Sequence, residues 1–383
     1  MTTADVVVVG AGVVGASIAF HLASRGVDVV VCDQGHGGRQ GATPWSAGQV
    51  RLTHGDPADM RLAALSLPVF ERWAEVVGGD CGFRATGFAL LVGEDFLAVA
   101  ATAVKELDVL GIEARLLDPG EYARRRPGLR YDGVAAVLTE PRSGYADPVA
   151  TTAALLDRAA GFGARVRTGT RVDSLVVSGD TVRGVRTATE VVSAAEVVLA
   201  TNVRGAELLT GTGVAVPLST TRVGWAAVAG PELPAVDVTI DDTIGTYFRP
   251  WGEDGVLYRV PMDGRGGPPD TASGPVRPDL LEPARSLVAR RVPALAGRVA
   301  TASGSALESY TPDGKPVLGR AGPGGVYLAL GPSGGGFKSA PAIGRAVAAE
   351  LAGAGPAEEL DPYRFARFSG EGRRPVARRY RHM

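Results

Sequence analysis

Apolar residues change their spacing along residues 5–33, DVVVVGAGVVGASIAFHLASRGVDVVVCD. Val6 to Val9 form an unbroken β-branched run, the pattern of a strand buried on both faces of a parallel sheet. Gly10, Gly12 and Gly15 interrupt it, a helix runs on to about Ser24, and Gly26 turns the chain into a second strand, Val27 to Cys32, closed by Asp33. Asp56-Pro57 supplies an N-cap and a first-turn proline for a helix to about Val77, and Asp147-Pro148 does the same for a helix to about Gly161. Between them, 83–93 reads as a strand, 96–112 as an amphipathic helix, and 118–129 as a short helix stopped by Pro127. Two strands joined by a Ser-Gly-Asp turn occupy 171–187, and EVVLAT is a buried strand ending at Asn202. Alternation over 214–262 predicts an antiparallel sheet with a hairpin around Gly252 to Gly255. A helix-rich stretch, 279–296, precedes LESYTPDGKPVLGR, the strand GVYLAL and the glycine cluster GPSGGGFKSAPAIG at 331–344.

This order predicts an α/β fold in which one domain is interrupted twice. Segments 1–80, 144–210 and 301–383 form a nucleotide-binding domain, and the insertions 81–143 and 211–300 form one second domain built from separate pieces. The length of 383 residues agrees, since single domains usually hold roughly 100–200.

Composition narrows the function classes. The formal net charge is -1 with the charges scattered, so no basic field for nucleic acid is present. The basic stretch RRPVARRYRHM, 373–383, reads as a solvated terminus. Cys32 and Cys81 are too few for a disulfide framework and lack metal-ligand spacing. Cys32 is expected in the core. No signal peptide is recognisable, and no run approaches the roughly 18 apolar residues of a membrane span. A soluble cytoplasmic protein is expected.

Gly10, Gly12 and Gly15 stand in GxGxxG spacing between a strand and a helix. The first permits the tight turn, the second lets backbone approach a pyrophosphate, and the third allows close helix packing. The helix N-terminus offers N–H groups and a positive dipole end to phosphates, and Asp33 is placed to accept from ribose hydroxyls. A dinucleotide site follows, but the motif alone does not choose between NAD and FAD. The polar segment 34–56 is too long for a connection in a repeated NAD-binding unit, and long loops inside compact domains are usually functional.

Taken in order and separation, VVVVGAGVVGASIAFHLASRG, GYADP, EVVLAT, YFRP, TPDGKPVLG and VYLALGPSGGGFKSAPAIG resemble the D-amino acid oxidase superfamily of FAD enzymes, and within it glycine oxidase and monomeric sarcosine oxidase. The resemblance covers nearly the whole chain. It implies a Rossmann-type, glutathione reductase-like FAD-binding domain with an interleaved antiparallel-sheet substrate domain. It also implies oxidation of the C–N bond of an amino acid or N-substituted amino acid to an imine that hydrolyses. Electrons then pass to O2, giving H2O2, or to another acceptor. The implied FAD positions are Gly10, Gly12, Val13, Gly15, Asp33 and Gln34 near the first turn, and Thr43, Ser46, Ala47 and Gly48 in the long loop. Val172, Ala200 and Thr201 follow, then Gly334, Gly335, Gly336, Phe337 and Lys338.

The C-terminal motif then has a charge rationale. A strand to Leu330, a flexible turn from Gly331 to Gly336 and a helix from about Phe337 would aim backbone N–H groups at the redox end of the flavin, where reduction builds negative charge. The plainer alternative is a glycine loop that permits close packing. By resemblance, Lys338 and Arg51 hold the substrate carboxylate and Tyr247 lines the pocket. A surface lysine, a structural arginine and a sheet-edge aromatic remain the alternatives.

Three departures from the family pattern matter. Ala306 stands near the position where sarcosine oxidase-like enzymes attach FAD to cysteine, so non-covalent FAD is expected. Glu308 replaces a carboxylate-binding arginine of glycine oxidase, so either the substrate is positive there or its carboxylate lies elsewhere, or Glu308 pairs with a structural arginine. The strand VLYRV lacks the lysine some relatives use to activate oxygen, and Arg259 is the nearest cation. His54, beside Arg51, is expected to be an exposed loop residue, and His21 to pack in the first helix. A dehydrogenase of the same fold and a flavin-binding protein with a degenerate site stay open as alternatives. A nicotinamide-dependent enzyme would leave the C-terminal motif without a role.

Overall fold

In β1 (Thr2–Val9) the last four residues, all valine, are buried, and β2 (Val29–Cys32) is buried throughout. Both lie inside a parallel sheet and are joined by α1 (Val13–Ala23). A computed structural model describes residues 2–262 and 273–368; the basic stretch 373–383 lies outside them. The first sheet runs, edge to edge, through Val317–Arg320, Val326–Leu330, Val191–Leu199, β1, β2 and Arg165–Arg167. Its neighbours pair in parallel except at the Val317–Arg320 edge. The Val172–Ser178 and Thr181–Thr187 hairpin hangs from the Val191–Leu199 strand. This is the Rossmann-type arrangement that the βαβ pattern predicts.

The second sheet is assembled from both insertions. Its order is Ala302–Tyr310, Ser219–Ala229, Gly255–Val260, Thr246–Trp251, Val238–Asp241, Phe88–Val92, Ala136–Glu140 and Arg115–Leu117. Pairing is antiparallel within each insertion, as expected, but Val238–Asp241 lies parallel to Phe88–Val92, where the two insertions meet. The Ala302–Tyr310 strand pairs with Ser219–Ala229. The boundary expected at residue 301 therefore falls ahead of a strand of the second sheet, and the return to the first sheet comes only after Tyr310.

Two elements are shorter than their patterns. The helix from Asp56-Pro57 is α2 (Pro57–Glu71), capped by the Asp56 side chain on the Ala58 N–H; it breaks at Arg72 before a short helix, Trp73–Val76. Pro68 lacks the N–H for one rung of the ladder a turn before that break. The strand expected over 83–93 is confined to Phe88–Val92, because Gly87 takes φ 87° and turns the run.

The C-terminal helix, α3 (Gly336–Leu351), crosses α1 at contact distance. A Cβ on Gly344 would sit 2.2 Å from the Ser17 hydroxyl oxygen and 2.7 Å from the Ser17 carbonyl oxygen. One hydrophobic cluster joins α1 and α3 (Ile18, Ile343), α2 (Met60, Phe70) and the second sheet (Phe88, Leu138), so the two sheets share a core. Cys32 and Cys81 are buried free thiols. Among the described residues no helix is long and apolar enough to cross a membrane.

Candidate active site

The glycine turn after β1 is built by close approach. Gly10 has φ 99°, and a Cβ there would lie 2.5 Å from the Ala200 carbonyl oxygen; a Cβ on Gly15 would lie 1.9 Å from the Gly10 carbonyl oxygen. Neither position accepts a side chain. Gly12, the N-cap of α1, has no side-chain cap, and the Val13 N–H donates to the Thr43 hydroxyl at 3.3 Å. Asp33, expected at a ribose, has a structural role in this turn. One carboxylate oxygen accepts from Ala11 N–H at 2.7 Å and the other from Gly35 N–H at 2.8 Å, so Asp33 also holds the turn closed.

From this turn a continuous cavity of about 2230 Å³ runs to the second sheet. Sites for ordinary small ligands measure about 300–1,000 Å³, so this one has room for a dinucleotide and a substrate together. Its walls include Gly10, Gly12, Val13, Asp33, Gln34, Thr43, Ser46, Ala47, Val172, Ala200, Thr201, Gly334, Gly335, Gly336, Phe337 and Lys338. Gly15 and Gly48 are not among them. Gly15 acts by packing, and Gly48, at φ 64° with the Ala146 carbonyl oxygen 2.2 Å from a would-be Cβ, acts through the short pairing of Gln49–Val50 with Gly144–Tyr145. The Thr201 hydroxyl is buried with no partner among the described residues. The uncapped helix start, the cavity's size and this unused hydroxyl fit a bound FAD.

At the far end Arg51, Tyr247, Glu308 and Lys338 all line the same cavity, joined by His54, Asp59, Arg259 and Tyr310. Arg51 donates to the Thr53 carbonyl, and its guanidinium lies 5.7 Å from the Phe88 ring centroid. Its loop is fixed by Glu140, a buried carboxylate at the end of Ala136–Glu140. Glu140 accepts from Leu52 N–H at 2.9 Å, from Thr53 N–H at 2.6 Å, and from the Thr53 and Ser143 hydroxyls. Sequence reasoning missed this residue; a carboxylate closing an otherwise apolar strand was the available signal.

His54 is not the exposed residue expected. It lines the cavity beside Arg51 and Lys338, and its Nε2 is buried with no partner among the described residues. Burial first, then the charges of Arg51 and Lys338, hold its pKa well below the usual histidine range, so the ring is neutral. His21 packs edge-to-face on Phe20, as expected for the first helix.

The C-terminal glycine loop is tied down, not flexible. Gly331, Ser333 and Gly334 have φ of 63°, 51° and 81°. Ser333 N–H donates to the Ser309 carbonyl at 3.1 Å, and Thr311 N–H donates to the Ser333 hydroxyl at 3.1 Å. Gly334 N–H donates to Glu308 at 2.9 Å, and the Tyr310 hydroxyl donates to the other Glu308 oxygen at 3.1 Å. Among the described residues Glu308 therefore forms an ion pair with no arginine or other cation; it latches the loop to its strand. Burial raises its pKa. Lys338 follows in the first turn of α3, buried, with Nζ donating to the Gly334 carbonyl at 3.0 Å. Burial, then Arg51, pushes its pKa down to about 7. Burial pushes the Tyr247 hydroxyl up to about 12.

A further cation, Arg249, sits behind the wall. Arg249 is buried, donates to the Ala47 and Pro250 carbonyls, and stacks 4.4 Å from the Tyr145 ring centroid. It carries the long loop's Ala47 into place. Asn202, at φ 51°, receives the Ser309 N–H at 3.1 Å and so ties the first sheet's loop to the second sheet.

The profile of the FAD dependent oxidoreductase family, DAO, matches residues 5–350. The chain belongs to that family. It is thus an FAD-dependent oxidoreductase. Among curated relatives, a 4-methylaminobutanoate oxidase (formaldehyde-forming) from Paenarthrobacter nicotinovorans is 29% identical over 95% of this chain, which spans 45% of that enzyme's length. The monomeric sarcosine oxidase of Streptomyces avermitilis is 28% identical, covering 95% of this chain and 98% of its own. Among solved structures, an L-proline dehydrogenase from P. horikoshii superposes with a TM-score of 0.87 at 25% identity, covering 96% of this chain and 98% of that one.

Proposed function

We propose that this FAD-dependent oxidoreductase oxidises the C–N bond of an amino acid or N-substituted amino acid whose carboxylate is held between Arg51 and Lys338. The observation that carries this reading is that both side chains reach the cavity at the C-terminal glycine loop, with Tyr247 on the same wall. Bound FAD supplies the two-electron acceptor. The chain's own part is to orient and enclose the substrate. A guanidinium fork and an amine on one carboxylate fix the adjacent carbon, and the Phe88 and Phe337 side of the site is buried. Tyr247, protonated at any working pH, remains a donor.

Further elements of the reading are that FAD is held without a covalent bond and that O2 is the acceptor. Ala306 is fully buried in the Ala302–Tyr310 strand, and burial pushes the Cys32 and Cys81 thiols up to about 11 and about 12, away from the reactive thiolate. Arg51 and Arg259 line the cavity, and a cation beside the flavin would favour the anion formed when O2 takes its first electron.

The test is the visible spectrum of the purified protein without oxygen, as primary and secondary amino acids are added one at a time. Bleaching of the flavin band by an amino acid, but not by the same amine lacking its carboxylate, is the expected result; bleaching by both alike removes the clamp. Readmitted air restores the band if O2 is the acceptor, and acid precipitation leaves the flavin in the supernatant if it is not covalent. Arg51→Ala weakens the bleaching amino acid about 10- to 100-fold, the worth of a hydrogen-bonded charge, with FAD still bound.

A further inference from the structure

Lys338 stands in an unusual position for a cation. Only 5% of its surface is exposed, and among the described residues Nζ has one hydrogen-bond partner, the Gly334 carbonyl. An ammonium has three donors and pays heavily for leaving water, so one acceptor leaves it poorly satisfied. The groups facing it come from three directions. Arg51 and His54 lie on the loop, Asp59 on α2 and Glu308 on the Ala302–Tyr310 strand. Arg51 repels a second positive charge, and His54 is neutral. Both carboxylates are engaged elsewhere, Glu308 by Gly334 and Tyr310, and Asp59 by the Tyr363 hydroxyl at 2.8 Å. No carboxylate forms an ion pair with Nζ among the described residues. Before a substrate arrives, the free amine is therefore the favoured form of Lys338 above pH about 7.

We propose that Lys338 is the base that takes a proton from the substrate's ammonium group as the substrate carboxylate settles beside Arg51. This rests on the amino acid oxidation proposed above. One N–H bond of the substrate ammonium breaks, its electron pair stays on the substrate nitrogen, and one N–H bond forms at Nζ. Site and substrate keep their total charge, and no proton is exchanged with solvent. The products are a neutral amine, which oxidation of the adjacent C–H requires, and a lysine ammonium newly able to pair with the carboxylate. The carboxylate supplies the acceptors and the opposing charge that the ammonium lacked.

The idea predicts opposite pH behaviour for two ligands. A zwitterionic amino acid brings its own proton, so the ratio of flavin reduction rate to Kd in anaerobic stopped flow is flat from pH about 7 up to the substrate's own amine pKa. The des-amino carboxylate of the same substrate must draw a proton from solvent, so its Kd, read from the flavin absorbance, rises tenfold per pH unit above about 7. Lys338→Arg keeps the charge but takes no proton. Reduction in that variant rises tenfold per pH unit, following the free amine, and des-amino binding becomes independent of pH. Lys338→Met gives the same two pH signatures with weaker binding, should the arginine not be accommodated.

Equal slopes in wild type and Lys338→Arg, or pH-independent binding of the des-amino carboxylate to wild type, would overturn the assignment. Failure of every amino acid to reduce the wild-type flavin would instead sink the amine-oxidation reading. The binding measurement with a simple carboxylate such as acetate would then still decide whether Lys338 takes up a proton with the anion.

Discussion

Glu140 shows how a single buried residue can govern a site it does not line. Its carboxylate satisfies two backbone N–H groups and two hydroxyls around the loop that carries Arg51 and His54. Glu140→Gln keeps the shape but turns one acceptor into a donor facing donors, and each buried N–H left unpaired costs about 1–3 kcal/mol. The expected outcome is a lower denaturation midpoint together with weaker carboxylate binding, at unchanged FAD content, measured by chemical denaturation and flavin difference spectra. Carboxylate affinity equal to wild type would show that the clamp does not set Arg51. The tight turn at Gly10 and the close helix packing at Gly15 were legible in the sequence because they belong to one βαβ unit. Glu140 and His54 were not. The backbone partners of Glu140 lie 87 and 88 residues back along the chain, and one of the charges that lowers the His54 pKa is Lys338 on α3.

Among the elements, the crossing of α1 and α3 holds the two glycine-rich ends of the cavity together. Gly344 permits that crossing, since any Cβ there meets Ser17 backbone and hydroxyl well inside contact distance. Gly344→Ala is expected to destabilise the fold by about 1–3 kcal/mol, the usual range for overpacking. Because α3 begins at the glycine loop, FAD should also be lost more readily during purification, although residue 344 does not line the cavity. Thermal unfolding and the flavin-to-protein absorbance ratio check both parts. The helix starts at Asp56-Pro57 and Asp147-Pro148 were legible because capping is local: Asp147 accepts from Val149 and Ala150 N–H, as its type and place suggested. The end of α2 was not, because the apolar pattern continues through Trp73, which stacks on Phe70 across the break.

At the scale of the whole molecule, the cavity proposed for FAD has walls from both sheets, so binding there should stabilise them together. Saturation at about 100 times Kd adds about 2.7 kcal/mol to the folded state. The protein stripped of flavin is expected to melt at a lower temperature and to recover with added FAD in proportion to the logarithm of its concentration; a melting temperature indifferent to FAD would count against the shared site. The sequence by itself determined the βαβ unit that opens the first sheet and the FAD family, and it drew attention to Arg51, Tyr247, Glu308 and Lys338. These rest on short-range patterns, in which strand, glycine turn and helix constrain one another directly. Only the tertiary structure decided that the insertions join through a parallel pair, that the Ala302–Tyr310 strand belongs to the second sheet, and that Glu308 latches the glycine loop. It also decided that Lys338 is buried near Arg51, where a lysine's pKa falls. Burial and opposing charge depend on which distant segments meet, and no spacing along the chain records that.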